Sequence, residues 1–297
     1  MTRVAFLGLG AIGAPMARHL AKAPFELAVW NRTAAKAKAF AAEGGLVRVA
    51  GSAREAAAKA EVVITCLPTS ADVESLLDGA DGLLAGLEKG AVLVDCTSGD
   101  PAGSRRIAAK VAERGVAFID APVSGGVVGA QKGQLTVMVG GEARALERAK
   151  PVLQAFAGKI VHCGAVGTGD ALKAVNNALL AIHIWSCAEG LAALAKMGVS
   201  ASTALDVINA SSGRSNSSQN LFPERVVSRA FPRTFRLALL DKDVGIAAAV
   251  TREGKIPAPL IALTSELFRA AHNALGEEAD HVEAVRLLEE WARVEIR

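Results

Sequence analysis

The residues able to do chemistry lie in a few short runs. Gly8-Leu9-Gly10-Ala11-Ile12-Gly13 follows an apolar run of strand length, Val4 to Leu7, and precedes a helical pattern through Met16, Ala17 and Leu20. Strand, glycine turn and helix form the context in which GxGxxG binds a dinucleotide. Gly8 makes the tight turn, Gly10 lets the backbone approach a pyrophosphate, and Gly13 lets helix and strand pack closely. The helix N-terminus then offers amides and a positive dipole end to the phosphates. Leu27 to Trp30 reads as the next strand and ends in Asn31-Arg32-Thr33. An acidic residue there would accept hydrogen bonds from ribose hydroxyls, as NAD sites require. None is present. Arg32, flanked by Asn31 and Thr33, instead supplies a cation and small hydrogen-bonding groups suited to a 2'-phosphate, so the expected cofactor is NADP, with NAD possible.

A different kind of group appears in GAVGTGDALKAVNNALLAIHIWSCAEGLAALA, Gly164 to Ala195. Residues three and four apart share one helix face, so Lys173 can present its ammonium beside the Asn177 amide, with Asn176 slightly to one side. A lysine in an apolar helix is costly to bury unless it has partners or a task. The plain alternative is a lysine that snorkels to water from the first exposed turn.

The elements that must position these residues alternate. Val62 to Cys66 opens into Leu67-Pro68-Thr69-Ser70, Ala91 to Val94 into Asp95-Cys96-Thr97-Ser98-Gly99, and Ala117 to Ile119 into Asp120-Ala121-Pro122-Val123-Ser124-Gly125-Gly126. With helical patterns between the strands, the order predicts a doubly wound, mostly parallel sheet, extended by Leu135 to Val139 and Lys159 to His162. Ligands bind beyond the carboxyl ends of such strands, where these Pro, Ser, Thr and Gly loops sit. Past Gly164 the strand signals stop. Helical periodicity runs through Ala201 to Asn209, Leu237 to Arg252, Leu260 to Leu275 and Val282 to Val294, with a polar loop at Ser211 to Asn220. The reading is therefore an α/β Rossmann-like domain over residues 1–165, then a long helix and an all-α domain over residues 166–297. The leading helix reads as apolar on all sides, so a homodimer or homotetramer partner is expected to cover it.

Composition narrows the partners. The chain has 297 residues and a formal charge of +3, with 33 basic and 30 acidic residues spread along it, so neither nucleic acid nor an anionic membrane is expected. Aromatic residues make up 4% and Tyr is absent, which leaves no stacking platform for single strands. Cys66, Cys96, Cys163 and Cys187 are widely spaced, with no CxxC pair and no histidine at ligand spacing; reduced thiols in a cytoplasmic compartment and no metal are expected. The apolar N-terminus is broken by glycines and lacks a strong basic start, a poor signal peptide. Lys173, two Asn, His183 and Glu189 make the long helix a poor membrane span. His162, His183 and His272 have no nucleophile or carboxylate partner legible in the sequence.

Taken together the motifs resemble the β-hydroxyacid dehydrogenases, and within them the 3-hydroxyisobutyrate dehydrogenases. Four signatures appear in order: GLGAIGAPMA, DAPVSGG at Asp120 to Gly126, GTGDALKAVNN at Gly167 to Asn177, and Phe235 to Asp243 ending in Lys242-Asp243. The resemblance implies that Lys173 is the general acid/base and that Asn177 orients the substrate with Asn176. It also implies that Ser124, Gly125 and Gly126 hold the substrate carboxylate, a role consistent with amides at a Ser-Gly-Gly turn forming an anion site. Lysine can take a hydroxyl proton once burial and polar neighbours lower its pKa. Lys242 and Asp243 are implied to close over nicotinamide and substrate, with Phe235 near the same pocket. Leu67, Pro68, Thr97 and Ser98 carry over as cofactor contacts, although Thr97-Ser98 reverses the usual order of serine and threonine. The expected reaction is hydride transfer between NADP and a small hydroxy acid or semialdehyde, with 3-hydroxyisobutyrate in valine catabolism foremost. Glyoxylate and succinic semialdehyde reductases keep the same lysine and glycine loops and are the alternative. The Ser211-Ser212-Gly213-Arg214-Ser215 loop tilts towards the former. Imine reductases usually lack the lysine, and 6-phosphogluconate dehydrogenases place histidine where Asn176 stands. Non-enzymatic proteins of this fold have lost the lysine that Lys173 matches.

Overall fold

The computed structural model describes all 297 residues, Met1–Arg297. They divide into two units, Met1–Lys173 and Ala174–Arg297. In the first unit nine strands form one sheet: β1 Thr2–Leu7, β2 Phe25–Trp30, β3 Val47–Val49, β4 Val62–Thr65, β5 Val92–Asp95, β6 Ala117–Asp120, β7 Val123–Ser124, β8 Leu135–Gly141 and β9 Ala157–Gly164. The order is β3-β2-β1-β4-β5-β6-β8-β7, with β9 also paired to β8. Pairings from β3 through to β6 are parallel, while β8 runs antiparallel to β6 and β7. The expected doubly wound, mostly parallel sheet is therefore present.

Alternation along β1 builds a core on each face of the sheet. Val4 and Phe6 pack with Met16, Leu20, Phe40, Leu153 and Phe156, whereas Ala5 and Leu7 pack with Ala57, Leu77, Leu83, Ile107 and Val111. β4 and β5 are buried throughout, which explains their unbroken apolar runs. β3 and β7, of three and two residues, were not foreseen, being too short to show a period.

In the second unit, helices Ala201–Asn209, Leu237–Glu253, Pro259–Leu275 and Ala284–Ala292 bury one core that includes Trp185, Phe222, Leu240, Val244, Phe268 and Val285. The expected loop Ser211 to Asn220 is corrected, because Ser217–Val227 forms a π-type helix with Pro223 inside it. Its polar start misled the periodicity. Ser217 and Ser218 are buried, and Ser218 and Ser215 exchange hydrogen bonds that replace solvent.

The long helix is Thr168–Lys196. By length and composition it could cross a membrane. However, Ala174, Ala178, Ala181, Ile184, Trp185, Ala188 and Leu191 form a three-and-four-spaced seam within the second unit's core. The expectation of an all-round apolar helix is also corrected: Asn176, His183, Ser186 and Glu189 are exposed, together with Leu172 and Leu179. The division between the two compact units falls inside this helix, at Lys173/Ala174. Its first turn is tied to the sheet by the hydrogen bonds described next.

Candidate active site

The glycine turn leaves β1 beside β4, where the strand order reverses direction, the usual place for a ligand crevice. Gly8 has φ +105°, and a Cβ there would overlap the Cys66 carbonyl. Helix Gly13–Lys22 has no side-chain cap and no acidic residue in its first turn. Ala14 and Met16 N–H donate to the Gly10 and Ile12 carbonyls and Pro15 has no N–H, so what the helix start offers an anion is its dipole end and the glycine turn before it. Gly10 is exposed, with nothing within 4 Å of a Cβ placed on it.

An open cleft borders this turn, lined among others by Gly8, Gly10, Asn31, Arg32, Thr33, Leu67 and Pro68. All seven are residues expected from the sequence. Leu9, Ala11, Ile12 and Gly13 complete the turn without lining the cleft. The Asn31 amide is engaged within the protein: it accepts from Leu9 N at 2.9 Å and donates to the Thr33 carbonyl at 3.1 Å, tying the glycine turn to the end of β2. Lys36, Asp72 and Ser75 also line the cleft. Lys36 stands one helical turn past Arg32-Thr33, a spacing that could have revealed it; Asp72 comes from another crossover.

Three buried aspartates organise the carboxyl ends of β5 and β6. Asp95 ends β5, and its Oδ1 accepts from Thr65 Oγ1 at 2.8 Å and Thr97 N at 3.0 Å. Thr97 in turn accepts from Leu67 N at 3.0 Å, so its buried hydroxyl braces the β4 loop. Ser98 is half-buried. Asp120 ends β6 and accepts from Gly167 N at 2.7 Å and Asp170 N at 3.0 Å. Asp170 accepts from Gly99 N at 3.2 Å and Ser104 Oγ at 2.6 Å. The start of the helix carrying Lys173 is therefore held by two carboxylates. Gly169 is required beside them, since a Cβ would crowd Asp120 Oδ2 and Gly140 N.

Burial raises all three carboxyls. It pushes Asp95 up to about 6, against the hydrogen bonds from Thr97 and Thr65. Asp170 lies well above its ordinary value through burial and then the charges of Asp120 and Asp95, and Asp120 is raised by burial despite its backbone donors. Asp95 Oδ2 has no partner. An acid raised on folding makes the native state bind more protons, so stability falls as pH rises from near 3.8 through about 6. Asp95→Asn is expected to remove that part of the slope, about 2–3 kcal/mol between pH 4 and pH 7 by urea unfolding. Parallel profiles for variant and wild type would refute the assignment.

Ser124 closes β7, with Gly125 at φ +131° and Gly126 at φ +62° opening the next helical turn. Both glycines are exposed, leaving their backbone open to an anion.

The second unit gathers four residues singled out from the sequence. Asn177, buried, donates from Nδ2 to Asp243 Oδ2 at 2.6 Å and accepts from Asn176 Nδ2 at 3.1 Å. Lys242 Nζ lies 2.9 Å from Asp243 Oδ1. Asp243 is thus a hub that fixes an amide and an ammonium. Phe235 is placed apart from these hydrogen bonds: its ring lies 5.4 Å from that of His281, and its N–H donates to Asp280.

Residues 3–164 match the family described as the NAD binding domain of 6-phosphogluconate dehydrogenase, and residues 167–288 that described as NAD-binding of NADP-dependent 3-hydroxyisobutyrate dehydrogenase. The 2-(hydroxymethyl)glutarate dehydrogenase of Eubacterium barkeri is 35% identical over 95% of this chain and 93% of its own. The NAD-dependent L-serine dehydrogenase of Pseudomonas aeruginosa is 38% identical over 91% and 92%. Among solved structures, the Mycobacterium tuberculosis 3-hydroxyisobutyrate dehydrogenase with L-serine superposes with a TM-score of 0.88 at 34% identity, over 97% of this chain and 99% of that one.

Proposed function

The chain belongs to the β-hydroxyacid dehydrogenase family, and from that premise we propose that it oxidises a small 3-hydroxy acid with NADP, 3-hydroxyisobutyrate to methylmalonate semialdehyde foremost. Membership makes it an oxidoreductase acting on a CH–OH group with a nicotinamide cofactor. The observation that carries the reading is Lys173 on a helix whose first turn two buried carboxylates hold, in the same unit as the uncapped glycine turn.

The residues suit the cofactor. The Gly8–Gly13 turn and the dipole end of helix Gly13–Lys22 would receive the pyrophosphate, and Arg32 and Lys36 would supply positive charge for a 2'-phosphate. When bound, the nicotinamide supplies the hydride acceptor, and the chain's own task is positioning and proton transfer. Amides of Ser124, Gly125 and Gly126 hold the carboxylate. Lys173 Nζ takes the hydroxyl proton as the carbonyl forms and returns it in the reverse direction. Within the second unit Asp243 orients the Asn177 amide, beside Asn176, and steadies Lys242, which suits the substrate role that the family resemblance gives these residues. Leu67, held by Thr97, and Pro68 border the cofactor from β4.

Serine, 2-(hydroxymethyl)glutarate and 3-hydroxyisobutyrate, taken from the relatives' names, all carry a hydroxymethyl group on the carbon next to a carboxylate and differ in the other substituent there. That shared unit supports the 3-hydroxy acid class. NADPH-dependent reduction of glyoxylate or succinic semialdehyde is the competing reading. The four unpaired cysteines suit a cytoplasmic location, which is part of the same proposal. Exposed Leu179 on the long helix suits a face between copies in a homodimer or homotetramer. Steady-state kinetics with both cofactors, the three hydroxy acids and the two aldehydes test the assignment. Highest kcat/KM for 3-hydroxyisobutyrate with NADP supports it; turnover of the aldehydes alone would reassign it to the reductases.

A further inference from the structure

The acid missing from the end of β2 reappears in space. Asp72 belongs to helix Ser70–Ser75, which follows β4, yet it lines the same cleft as Arg32, Lys36 and the glycine turn. Its Oδ1 lies 3.8 Å from the Arg32 guanidinium. Its other oxygen accepts from Thr69 Oγ1 at 2.7 Å, and Thr69 Oγ1 accepts from Asp72 N at 3.1 Å. The reciprocal bonds fix the carboxylate in the first turn of its helix, so it does not swing freely into solvent. The Asp72 side chain is 31% exposed and that of Arg32 is 85%. The cation is the more exposed partner, and the anion is the one held by further hydrogen bonds.

We infer that Asp72 sets how strongly this site prefers a 2'-phosphate over a free ribose diol. This rests on the reading of the cleft as the adenosine end of an NADP site. The carboxylate acts in two ways. It pairs with Arg32 when no phosphate is present, so a phosphate has to displace it. It then faces a dianion at close range across a wet cleft, a repulsion that weakens with salt. Towards NAD the same group is an acceptor of the type a ribose hydroxyl uses. The site therefore holds the recognition elements of both cofactors, with the cation from β2 and the acid from the β4 crossover, and Asp72 keeps it from exclusive use of NADP.

The test is direct titration of NADPH and NADH onto wild type, Asp72→Asn and Arg32→Ala, followed by nicotinamide fluorescence at low and high salt. Asp72→Asn keeps a hydrogen-bonding side chain at this helix position, and thermal unfolding checks the fold. For Asp72→Asn the preference for NADPH over NADH is expected to rise about three- to tenfold at low salt and by less at high salt. Asp78→Asn, which removes an exposed carboxylate paired with Lys110 outside the cleft lining, should leave the preference unchanged. An unchanged preference in Asp72→Asn, or an equal shift in Asp78→Asn, would overturn the inference. Arg32→Ala separates it from the reading beneath: selective loss of NADPH affinity there upholds the 2'-phosphate site whatever Asp72 does. If Arg32→Ala alters neither cofactor, the phosphate site and this inference fall together.

Discussion

Lys173→Met is expected to lower kcat by about a thousandfold or more, with NADPH still bound at near wild-type affinity, because positioned proton transfer typically contributes about 10²- to 10⁴-fold and no other residue in the proposed mechanism supplies a proton acceptor. Lys173→Arg sharpens the result. Arginine preserves the positive charge and reaches a similar distance, but it does not give up its proton in the working range. If Lys173 serves by proton transfer, arginine should be nearly as inactive as methionine. If it serves only by attracting the substrate carboxylate, arginine should restore much of kcat. Single-turnover hydride transfer, read at the NADPH absorbance, distinguishes these. Activity of Lys173→Met within about tenfold of wild type would remove the lysine from the chemistry.

The second large effect is on the glycine turn. A Cβ on Gly13 would overlap the Gly8 carbonyl oxygen and press on Phe6. Both lie in or beside the central strand, and the backbone oxygen has nowhere to go. Gly13→Ala is expected to cost about 3 kcal/mol or more and to abolish cofactor binding, since relief requires helix Gly13–Lys22 to move off the sheet. Gly10→Ala is the informative partner. Nothing in the protein lies within 4 Å of its added Cβ. It should therefore fold with unchanged stability and still lose cofactor affinity, because the methyl group stands where the pyrophosphate would approach. Urea unfolding and NADPH titration on both variants separate packing from ligand approach. Equal destabilisation by the two substitutions would contradict this division of roles.

Much of this arrangement is legible in one dimension because it depends on local chemistry. Gly8, Gly10 and Gly13 sit where a turn must be tight, and Val62–Thr65 and Val92–Asp95 are buried on both faces, so composition alone marks them. Lys173, Asn177, Lys242 and Asp243 stand in motifs, and the structure joins the last three in one set of hydrogen bonds and ion contacts. What escapes is long-range. That Asp243 orients Asn177 follows from helix packing within the second unit, and that Asp72 faces Arg32 from a crossover that brings two segments to one sheet end; no periodicity encodes either. The aspartates Asp95, Asp120 and Asp170 were visible only as loop and helix residues. Their burial, which raises their affinity for protons, is a property of the assembled fold. The π-type helix Ser217–Val227 was hidden for a related reason: its buried Ser218 exchanges hydrogen bonds with Ser215 just before it, as a sequence pattern cannot show.

The place where the long helix changes allegiance bears on how proteins of this kind can be recombined. The glycine-rich stretch before Thr168 looks like the natural joint for exchanging substrate modules between relatives. A crossover there would replace Asp170, and with it the acceptor for Gly99 and Ser104, while keeping the Asp120 that must cap the incoming helix. The donor's first turn would then meet a foreign socket. Joining after Lys173 instead carries the complete socket with its own turn, so the seam that preserves the machinery lies within a continuous helix and not in the loop that precedes it.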